Sequence, residues 1–330
     1  MNALVTGGGG FLGRALVERL LYAGHTVTAA SRGEYPELRS LGARTVHMEV
    51  KDAASVRAAA EGHDIVFHAA AKTGVWGPRG EFVSTNVSGT ENVLAACRAC
   101  GTTRLIYTSS PSVVFDGRDQ VNASNDLPYP GRYECAYPET KAAAERLVLA
   151  ANGPALATLA LRPHLIWGPR DPHLLPRLFA RARSRRLRVV GDGRNRVSLT
   201  YVDNAAAAHV LAGERLAAGA PWAGKAYFVN DAEPVELWPW LNALLGRIGL
   251  SPARGRVPLP VARAAGAAAE GVWSLLHLGG EPPLTRFVAS QLATSHWYDL
   301  GPASTAFGYA PVVGPEEALE KTVAWWKGRA

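Results

Sequence analysis

A tyrosine and a lysine stand four residues apart in the segment YPETK, as Tyr137 and Lys141. Residues four apart on a helix are neighbours, so a phenol and an ammonium would lie side by side. A tyrosine with its ordinary pKa of about 10 moves protons poorly at neutral pH, but a nearby ammonium favours the phenolate and lowers that pKa. The pair therefore predicts proton transfer to or from a substrate oxygen, with Lys141 lowering the pKa of Tyr137.

A hydroxyl donor is also needed to hold a substrate carbonyl oxygen while negative charge develops on it. The segment RLIYTSSPSVVF provides two serines at the end of a predicted strand. We predict that Ser110 has this role, with Ser109 as the alternative, although both could simply cap a turn. The Y-x-x-x-K spacing occurs by chance in many chains, so the prediction depends on the features that accompany it.

The main accompanying feature is a glycine-rich turn near the start of the chain. Gly7, Gly10 and Gly13 follow a short apolar run at residues 3–5 and precede a helical pattern at 11–23. Glycines permit a tight turn and a close approach of backbone to phosphate, and the helix N-terminus attracts the negative charge. This context predicts a site for the pyrophosphate of a dinucleotide and makes a plain flexible loop the weaker interpretation.

Alternating strands and helices predict an α/β fold, a Rossmann-type doubly wound parallel sheet with a smaller C-terminal substrate-binding lobe. We expect strands at 26–30, 45–48, 65–71, 105–108 and 157–166, and helices at 53–61, 81–99 and 137–151. The predicted cofactor domain covers 1–168, with its core extending into 197–230, and 169–330 form mainly the substrate lobe. Ligands of such sheets bind beyond the carboxyl ends of the strands, where the glycine turn and the serines converge.

Several segments together resemble the extended short-chain dehydrogenases/reductases, and within them the 3-beta-hydroxysteroid dehydrogenase/isomerase family. They are TGGGGFLG, HAAAKTG, TNVSGT, YTSSPSVVF, YPETK, LRPHLIWGPRD, PPLTRF and FGYAP. SRGEYP, HLLPRL and HWY are most similar to bacterial enzymes that reduce 2-alkyl-3-oxoalkanoic acids in long-chain olefin biosynthesis. The resemblance covers nearly the whole chain. It implies the roles given above for Ser110, Tyr137 and Lys141, and it implies that Asn86 organises the site near the cofactor.

The cofactor is predicted from the residues at the end of the second strand. Ser31 and Arg32 stand where an NAD enzyme usually places an acid, and an arginine suits the 2′-phosphate of NADP(H). NADP(H) is therefore preferred over NAD(H), which stays an alternative. Where the family usually has Gly-Asp, this chain has Met48 and Glu49, and Glu49 can still accept a bond from the adenine amine. The predicted cofactor contacts are Gly7, Gly10, Phe11, Leu12, Gly13, Ser31, Arg32, Glu49, Ala69, Ala70, Ala71, Asn86, Tyr137, Lys141, Pro163 and Leu165.

The substrate is predicted to be lipid-like, because the segment 257–278 is apolar with few charges. This segment is either a core helix or a mobile cover that contacts an apolar substrate or a membrane surface. The leading hypothesis is NADPH-dependent reduction of a long-chain 2-alkyl-3-oxoalkanoic acid to the 3-hydroxy acid. The alternatives are a sterol dehydrogenase, a nucleotide-sugar enzyme and a non-catalytic dinucleotide sensor. The candidate pocket residues are Lys72, Trp76, His164, Arg170 and His173, although His173 equally suits a helix start.

Composition limits the remaining possibilities. The net charge is +7, and eight arginines lie within 177–196, yet only Phe179 among them is aromatic and no nucleic-acid motif is present. This stretch predicts a solvated face, an anionic ligand or a pathway-enzyme partner, and no nucleic-acid binding. Three cysteines and the lack of a signal peptide predict a cytoplasmic protein without disulfides. We expect no membrane-spanning helix and no metal site. Peripheral contact with a membrane is the alternative to a purely cytoplasmic location. The resemblance also implies a homodimer formed through the long helices within 81–99 and 137–151.

Overall fold

The computed structural model describes residues 1–328, and residues 329 and 330 of the predicted substrate lobe lie outside that range. The strands are β1 Asn2–Thr6, β2 Thr26–Ser31, β3 Arg44–His47, β4 Ile65–His68, β5 Arg104–Thr108, β6 Gln120–Ala123, β7 Ala157–Pro163, β8 Ile166–Trp167, β9 Val189–Val190, β10 Arg196–Val197, β11 Thr200–Tyr201, β12 Ala226–Val229, β13 Val235–Glu236, β14 Arg256–Val257 and β15 His296–Tyr298.

The helices are α1 Phe11–Tyr22, α2 Pro36–Ser40, α3 Ala53–Ala60, α4 Arg79–Phe82, α5 Gly89–Cys100, α6 Ala136–Ala150, α7 Leu174–Arg183, α8 Val202–Arg215, α9 Leu237–Arg247, α10 Leu259–Leu275, α11 Arg286–Ala293, α12 Gly301–Phe307 and α13 Pro315–Lys327. A π-helical turn, Val83–Ser88, joins α4 to α5, and a 3-10 turn, Pro111–Val114, follows β5.

Seven strands form one parallel sheet in the order β12-β7-β5-β4-β1-β2-β3. Strands β4, β7 and β12 are buried along their whole length, which accounts for their continuous apolar sequences. Alternate residues of each strand point to opposite faces. Val5 and Phe67 pack with α1 and α8 on one face, while Leu4 and Val66 pack with α3, α5 and α6 on the other. The predicted doubly wound α/β sheet is confirmed.

Three elements differ from the sequence-based expectation, and the first is the strand expected at 65–71, which ends at His68. The strand expected at 157–166 ends at Pro163, because Leu165 adopts a left-handed backbone conformation with φ +43°. The next two residues form β8 and pair with β11 instead. The single helix expected at 81–99 is interrupted by the π-helical turn, which carries Asn86. Both interruptions lie where the chain passes the carboxyl edge of the sheet.

After β8 the chain adds smaller units. A four-stranded sheet has the order β13-β10-β15-β6, and β9 pairs in parallel with β14. Strand β12 returns to the main sheet beside β7. The division into a cofactor domain and a substrate lobe at residue 168 stays a prediction.

Helix α10 contains most of the apolar segment 257–278 and is largely exposed. Its buried residues are Ala262 and Gly266, and Gly266 packs so closely on the backbone of Thr285 that a Cβ there would lie 2.8 Å from the Thr285 carbonyl carbon. Val261 and Leu275 are 56% and 79% exposed, so the segment is not the core helix that one interpretation expected. Within residues 1–328, no helix is both long and apolar enough to cross a membrane.

Candidate functional site

The glycine turn between β1 and α1 is packed too tightly to accept side chains. Gly7 has φ +70°, and a Cβ built there would lie 2.9 Å from Ala70 Cα, in the loop after β4. A Cβ on Gly13 would lie 2.0 Å from the Gly7 carbonyl oxygen. Only glycine therefore allows this backbone-lined cradle to pack against α1 and the loop after β4, as in turns that bind a dinucleotide pyrophosphate.

The N-terminus of α1 opens beside this cradle. Gly10 is its N-cap, and no side chain bonds to that end, nor does an acidic residue lie in the first turn. The first backbone N–H groups of a helix have no partner within it. Those of Phe11, Leu12 and Gly13 can therefore bond an anion, and the helix dipole adds to the attraction.

The carboxyl ends of the adjacent strands β2 and β3 present hydroxyl, cationic and carboxylate groups. Ser31 Oγ donates to the Gly33 carbonyl at 3.4 Å. Arg32 is exposed and forms no hydrogen bond or ion pair with another described residue. Glu49 is partly buried and accepts a 3.2 Å bond from the backbone N–H of Lys51. The predicted contacts for the adenosine half thus lie on two adjacent loops, with the Arg32 guanidinium unpaired.

The loop after β4 is bonded to the strand that leads into the glycine turn. The backbone N–H of Ala69 donates to the Thr6 carbonyl at 3.3 Å, and that of Ala70 donates to Thr6 Oγ1 at 3.2 Å. Ala71, the third predicted contact of this loop, is partly buried. These bonds hold the two loops that would flank a pyrophosphate in fixed relative positions.

His68 joins these loops to the π-helical turn through a buried polar chain. Its Nδ1 lies 2.7 Å from Thr6 Oγ1, and its Nε2 lies 3.0 Å from Thr90 Oγ1, which donates in turn to the Asn86 carbonyl. Burial, together with the charge of Lys141, lowers the pKa of His68 to about 3, so the ring is neutral. Sequence reasoning assigned no role to this residue, although a histidine at the end of a buried strand was a signal.

Asn86 positions the loop after β4 against α6. It is 2% exposed; its Oδ1 accepts from the Lys72 N–H at 2.7 Å, and its Nδ2 donates to the Lys72 carbonyl at 3.1 Å and to Thr140 Oγ1 at 3.0 Å. Thr140 stands on α6 between Tyr137 and Lys141. The amide therefore bridges the loop and the helix that carries the Tyr–Lys pair, and π-helical turns of this kind are frequent at functional sites.

Ser110 and Tyr137 meet beyond the end of β5. Ser110 caps the 3-10 turn, its Oγ accepting from the Ser112 N–H at 3.2 Å and lying 2.9 Å from Ser112 Oγ. Burial raises the pKa of Tyr137, and the neighbouring Ser110 hydroxyl opposes this rise. Ser109 is 3% exposed, and its Oγ has no partner among the described residues. The structure thus places Ser110, rather than Ser109, beside the phenol.

Lys141 is held by β5 rather than by the phenol. Its Nζ donates to the Thr108 carbonyl at 2.5 Å and lies 4.2 Å from the centre of the Tyr107 ring. Burial lowers the pKa of Lys141 to about 7, and the charge of Glu145 opposes this. The expectation that Lys141 lowers the pKa of Tyr137 is therefore not met here: burial dominates, the phenol keeps its proton at neutral pH, and a half-neutral lysine attracts a phenolate weakly.

Two further buried contacts, which sequence reasoning did not identify, hold α6 and the end of β5 in place. Glu145 lies one helical turn after Lys141 and pairs with Arg162 of β7, at 2.7 Å, with both side chains nearly unexposed. Tyr129 donates to the same Glu145 oxygen at 2.6 Å, so the buried carboxylate is well satisfied. On the other side, His209 of α8 bonds Thr108 Oγ1 at 2.9 Å. Helix α6 and the end of β5 are thereby anchored to the sheet from both directions.

The turn after β7 contains the remaining predicted cofactor contacts. Pro163 ends the strand, and Leu165 has the positive φ noted above. His164 between them is 4% exposed; its Nδ1 lies 2.6 Å from the Ser198 carbonyl oxygen, and its ring lies 4.7 Å from that of His296. Burial lowers the pKa of His164 well below its usual range. His164 therefore packs inside the protein and does not line a pocket as the sequence suggested.

The two predicted substrate cations are both paired with carboxylates. Lys72 Nζ lies 2.8 Å from Glu81 Oε2. Arg170 Nη1 lies 2.8 Å from Glu18 Oε1 on α1, so Arg170 is directed to the helix surface rather than held unpaired for a substrate acid. Lys72 stays next to the candidate site through its backbone bonds to Asn86.

The other two candidate pocket residues have different positions. Trp76 is partly exposed in the loop before α4. His173 is exposed and precedes α7, whose first N–H groups are capped by Asp171 rather than by the histidine ring. His173 thus occupies the helix start that the sequence offered as its alternative. Within residues 1–328, no group of three His, Cys, Asp or Glu side chains could hold a metal.

The chain is similar to one protein family and to individual reductases and dehydrogenases. The family described as 3-beta hydroxysteroid dehydrogenase/isomerase matches residues 4–261. The chain is 49% identical to the 2-alkyl-3-oxoalkanoate reductase of Stenotrophomonas maltophilia (strain K279a), over 98% of this chain and 99% of that one. It is 34% identical to the human sterol-4-alpha-carboxylate 3-dehydrogenase, decarboxylating, over 97% of this chain and 86% of that one.

Among solved structures, a Bacillus cereus UDP-glucuronic acid 4-epimerase in complex with NAD superposes with a TM-score of 0.74. It is 22% identical, with 100% of this chain and 99% of that one covered, so the likeness concerns the fold.

Proposed function

The chain belongs to the 3-beta hydroxysteroid dehydrogenase/isomerase family and is an oxidoreductase, and we propose that it reduces long-chain 2-alkyl-3-oxoalkanoic acids with NADPH. The product is the 2-alkyl-3-hydroxyalkanoic acid. The observation that carries the proposal is the packing of the 3-10 turn capped by Ser110 against α6, the helix of Tyr137 and Lys141, in a chain 49% identical to a 2-alkyl-3-oxoalkanoate reductase.

The proposed roles follow from the protonation and the bonding of each side chain. The bound nicotinamide cofactor supplies the hydride. Tyr137 enters as the neutral phenol, because burial raises its pKa, and donates its proton to the ketone oxygen. Ser110 donates a hydrogen bond to the same oxygen and stabilises the charge that develops there. Lys141, held by Thr108, supplies positive charge when protonated and a donor for the cofactor ribose.

The cofactor would lie along the carboxyl edge of the sheet. The cradle formed by the glycine turn and the N–H groups of α1 fits a pyrophosphate, and the unpaired Arg32 fits a 2′-phosphate. This supports NADP(H) over NAD(H). Residues 1–168 together with 197–230 then form the cofactor domain, and the rest of 169–330 forms mainly the substrate lobe.

The carboxylate of the substrate needs a cation, and of the two cations among the candidate pocket residues we assign this role to Lys72 rather than Arg170. Lys72 is bonded through its backbone to Asn86, which contacts Thr140 on the helix of Tyr137. The Lys72 ammonium would give up its ion pair with Glu81 and pair with the substrate carboxylate instead. Glu81 is the more exposed partner of the pair, at 56% against 32%, so water readily solvates it after the exchange.

A sterol or steroid substrate is the second candidate, because of the 34% identity to the sterol-4-alpha-carboxylate 3-dehydrogenase. A nucleotide-sugar enzyme has only the likeness in fold to support it. A non-catalytic sensor has no need of the Ser110, Tyr137 and Lys141 set.

We further propose a cytoplasmic homodimer that pairs through α5 and α6. Exposed arginines at 183, 185, 186 and 194, which have no carboxylate partner among the described residues, could bind an acidic pathway enzyme. The exposed apolar side of α10 could contact a membrane surface. Light scattering at micromolar concentration tests the dimer, and a monomer would contradict it.

A screen of NADPH oxidation tests the substrate class. Long-chain 2-alkyl-3-oxo acids of increasing length, 3-keto sterols and UDP-sugars are compared at equal enzyme concentration, with a Tyr137→Phe sample as background. We expect kcat/KM to be highest for the 3-oxo acids and to rise with chain length by about 0.8 kcal/mol per buried methylene until the pocket is full. Faster turnover of a sterol would favour the second candidate.

A further inference from the structure

Tyr35 fills the space between the glycine turn and the end of β2. A Cβ built on Gly9 would lie 2.0 Å from Tyr35 Cε2 and 2.2 Å from Cζ, so the ring rests directly on the Gly9 backbone. A Cβ built on Gly33 would lie 3.2 Å from the Tyr35 hydroxyl oxygen. The phenol therefore contacts both the loop that would hold the pyrophosphate and the loop that carries Ser31 and Arg32.

The position of this ring is fixed by its surroundings. Tyr35 is the N-cap of α2, and its carbonyl accepts a 3.0 Å bond from the N–H of Leu38, which is fully buried. Arg14 of α1 bonds Glu37 at 3.1 Å and ties α2 to the helix that follows the glycine turn. The ring is thus held at one place by α1, α2 and two glycine backbones.

The hydroxyl group of Tyr35 takes no part in the contacts that hold the ring. The ring is partly buried, yet its hydroxyl forms no hydrogen bond with any of the described residues. On the same loop, Ser31 Oγ and the unpaired Arg32 guanidinium stand where sheets of this type bind the adenosine 2′ position. A phenol O–H and a guanidinium both donate strongly to phosphate oxygens.

From this juxtaposition we infer that Tyr35 is a specificity-determining residue, whose hydroxyl binds the 2′-phosphate of NADPH together with Arg32. The inference rests on the proposed use of NADPH and adds Tyr35 to Arg32 as a second group that recognises the 2′-phosphate. Arg32 supplies charge on a flexible side chain, whereas Tyr35 supplies a donor at a fixed point. NADH has a hydroxyl in place of this phosphate and gains far less from either group.

The test measures binding rather than turnover. Dissociation constants for NADPH, NADH and 2′,5′-ADP are determined by calorimetry for the wild type and for Tyr35→Phe, which keeps the ring on Gly9 and removes only the hydroxyl. Tyr22→Phe is the matched control, because Tyr22 is 89% exposed at the end of α1. We expect Tyr35→Phe to weaken NADPH and 2′,5′-ADP roughly tenfold and to leave NADH within twofold.

Two outcomes separate the inference from the proposal on which it rests. If the wild type binds NADH as tightly as NADPH, the proposed cofactor preference is wrong. If the wild type prefers NADPH but Tyr35→Phe leaves that preference intact, or weakens both cofactors equally, the ring only supports the turn and the inference is overturned. Tyr35→Ala, which also removes the ring from Gly9, should weaken both cofactors.

Discussion

Lys141 Nζ donates a 2.5 Å hydrogen bond to the carbonyl oxygen of Thr108, the last residue of β5. The strand that leads into Ser109 and Ser110 therefore also fixes the lysine. Because the ammonium is 3% exposed, its charge is costly, and the pKa of Lys141 falls to about 7. The serine and the lysine thus depend on one strand end, while Tyr137 is positioned by α6.

The buried lysine should make stability depend on pH. Below pH 7 Lys141 is charged in both the folded and the unfolded chain, so the folded state bears the full cost of burial. Between pH 7 and pH 10.5 only the unfolded chain keeps the proton, so stability rises with pH, and above pH 10.5 the cost is absent. The lowering from 10.5 to about 7 sets an upper limit of about 5 kcal/mol.

Lys141→Met should therefore gain stability relative to the wild type at pH 6, and the difference should shrink towards pH 10. Denaturant unfolding at several pH values measures it. Lys327→Met, which replaces an exposed lysine on α13, is the control and should show no such trend. If the difference in stability between Lys141→Met and the wild type stayed constant across this pH range, the folded protein would not bury a charged Lys141.

Gly13→Ala should strongly weaken cofactor binding, because its Cβ would meet the Gly7 carbonyl oxygen at 2.0 Å and force the turn open. We expect dissociation constants for NADPH to rise by about 100-fold or more, with about 2 kcal/mol lost from the free energy of unfolding. Gly246→Ala on α9, where a Cβ would have no neighbour within 4 Å, is the matched control. Normal binding by Gly13→Ala would contradict the geometry of the cradle.

Ser110 and Ser112 should differ in the size of their effects. Ser110→Ala removes the donor to the ketone oxygen and should lower kcat by about 10²-fold to 10³-fold. Ser112→Ala leaves that donor and removes only the bond that orients it, so a loss of about tenfold is expected. Ser109→Ala, whose hydroxyl has no described partner, should be nearly neutral. Steady-state kinetics would rule out this ranking if Ser109→Ala were the most damaging change.

Arg32→Asp should reverse the cofactor preference. An aspartate repels the 2′-phosphate and can accept bonds from the ribose hydroxyls of NADH. We expect the ratio of kcat/KM for NADPH to that for NADH to fall by about 100-fold, which is about 2.7 kcal/mol. Arg39→Asp on α2 changes the charge nearby and serves as the control. An unchanged ratio in Arg32→Asp would remove Arg32 from cofactor recognition.

The sequence predicted the sheet well because buried parallel strands are continuous apolar runs with clear ends. It predicted the contact between Ser110 and the Tyr137 helix because both follow from local patterns. It could not predict that Leu165 takes a positive φ, nor that the helix around Asn86 winds as a π turn. Those features depend on packing against distant parts of the chain.

The same limit applies to charges and buried polar groups. Nothing local to Arg170 reveals its pairing with Glu18, which is 152 positions away. The bonds of His68 to Thr6 and Thr90 exist only once the strands are assembled. The pKa of Tyr137 was predicted from its spacing to Lys141, whereas the folded protein sets it mainly by burial.

The central claim is that Tyr137 delivers the proton in an NADPH-dependent ketone reduction. The most direct measurement is the single-turnover rate of NADPH oxidation with a long-chain 2-alkyl-3-oxo acid, for wild type and Tyr137→Phe, alongside the NADPH dissociation constant. Tyr133→Phe, which changes a phenol bonded to the Val113 carbonyl, is the control. The account predicts that Tyr137→Phe binds NADPH normally and reduces the ketone at least about 10²-fold more slowly. A rate within twofold of the wild type would contradict it.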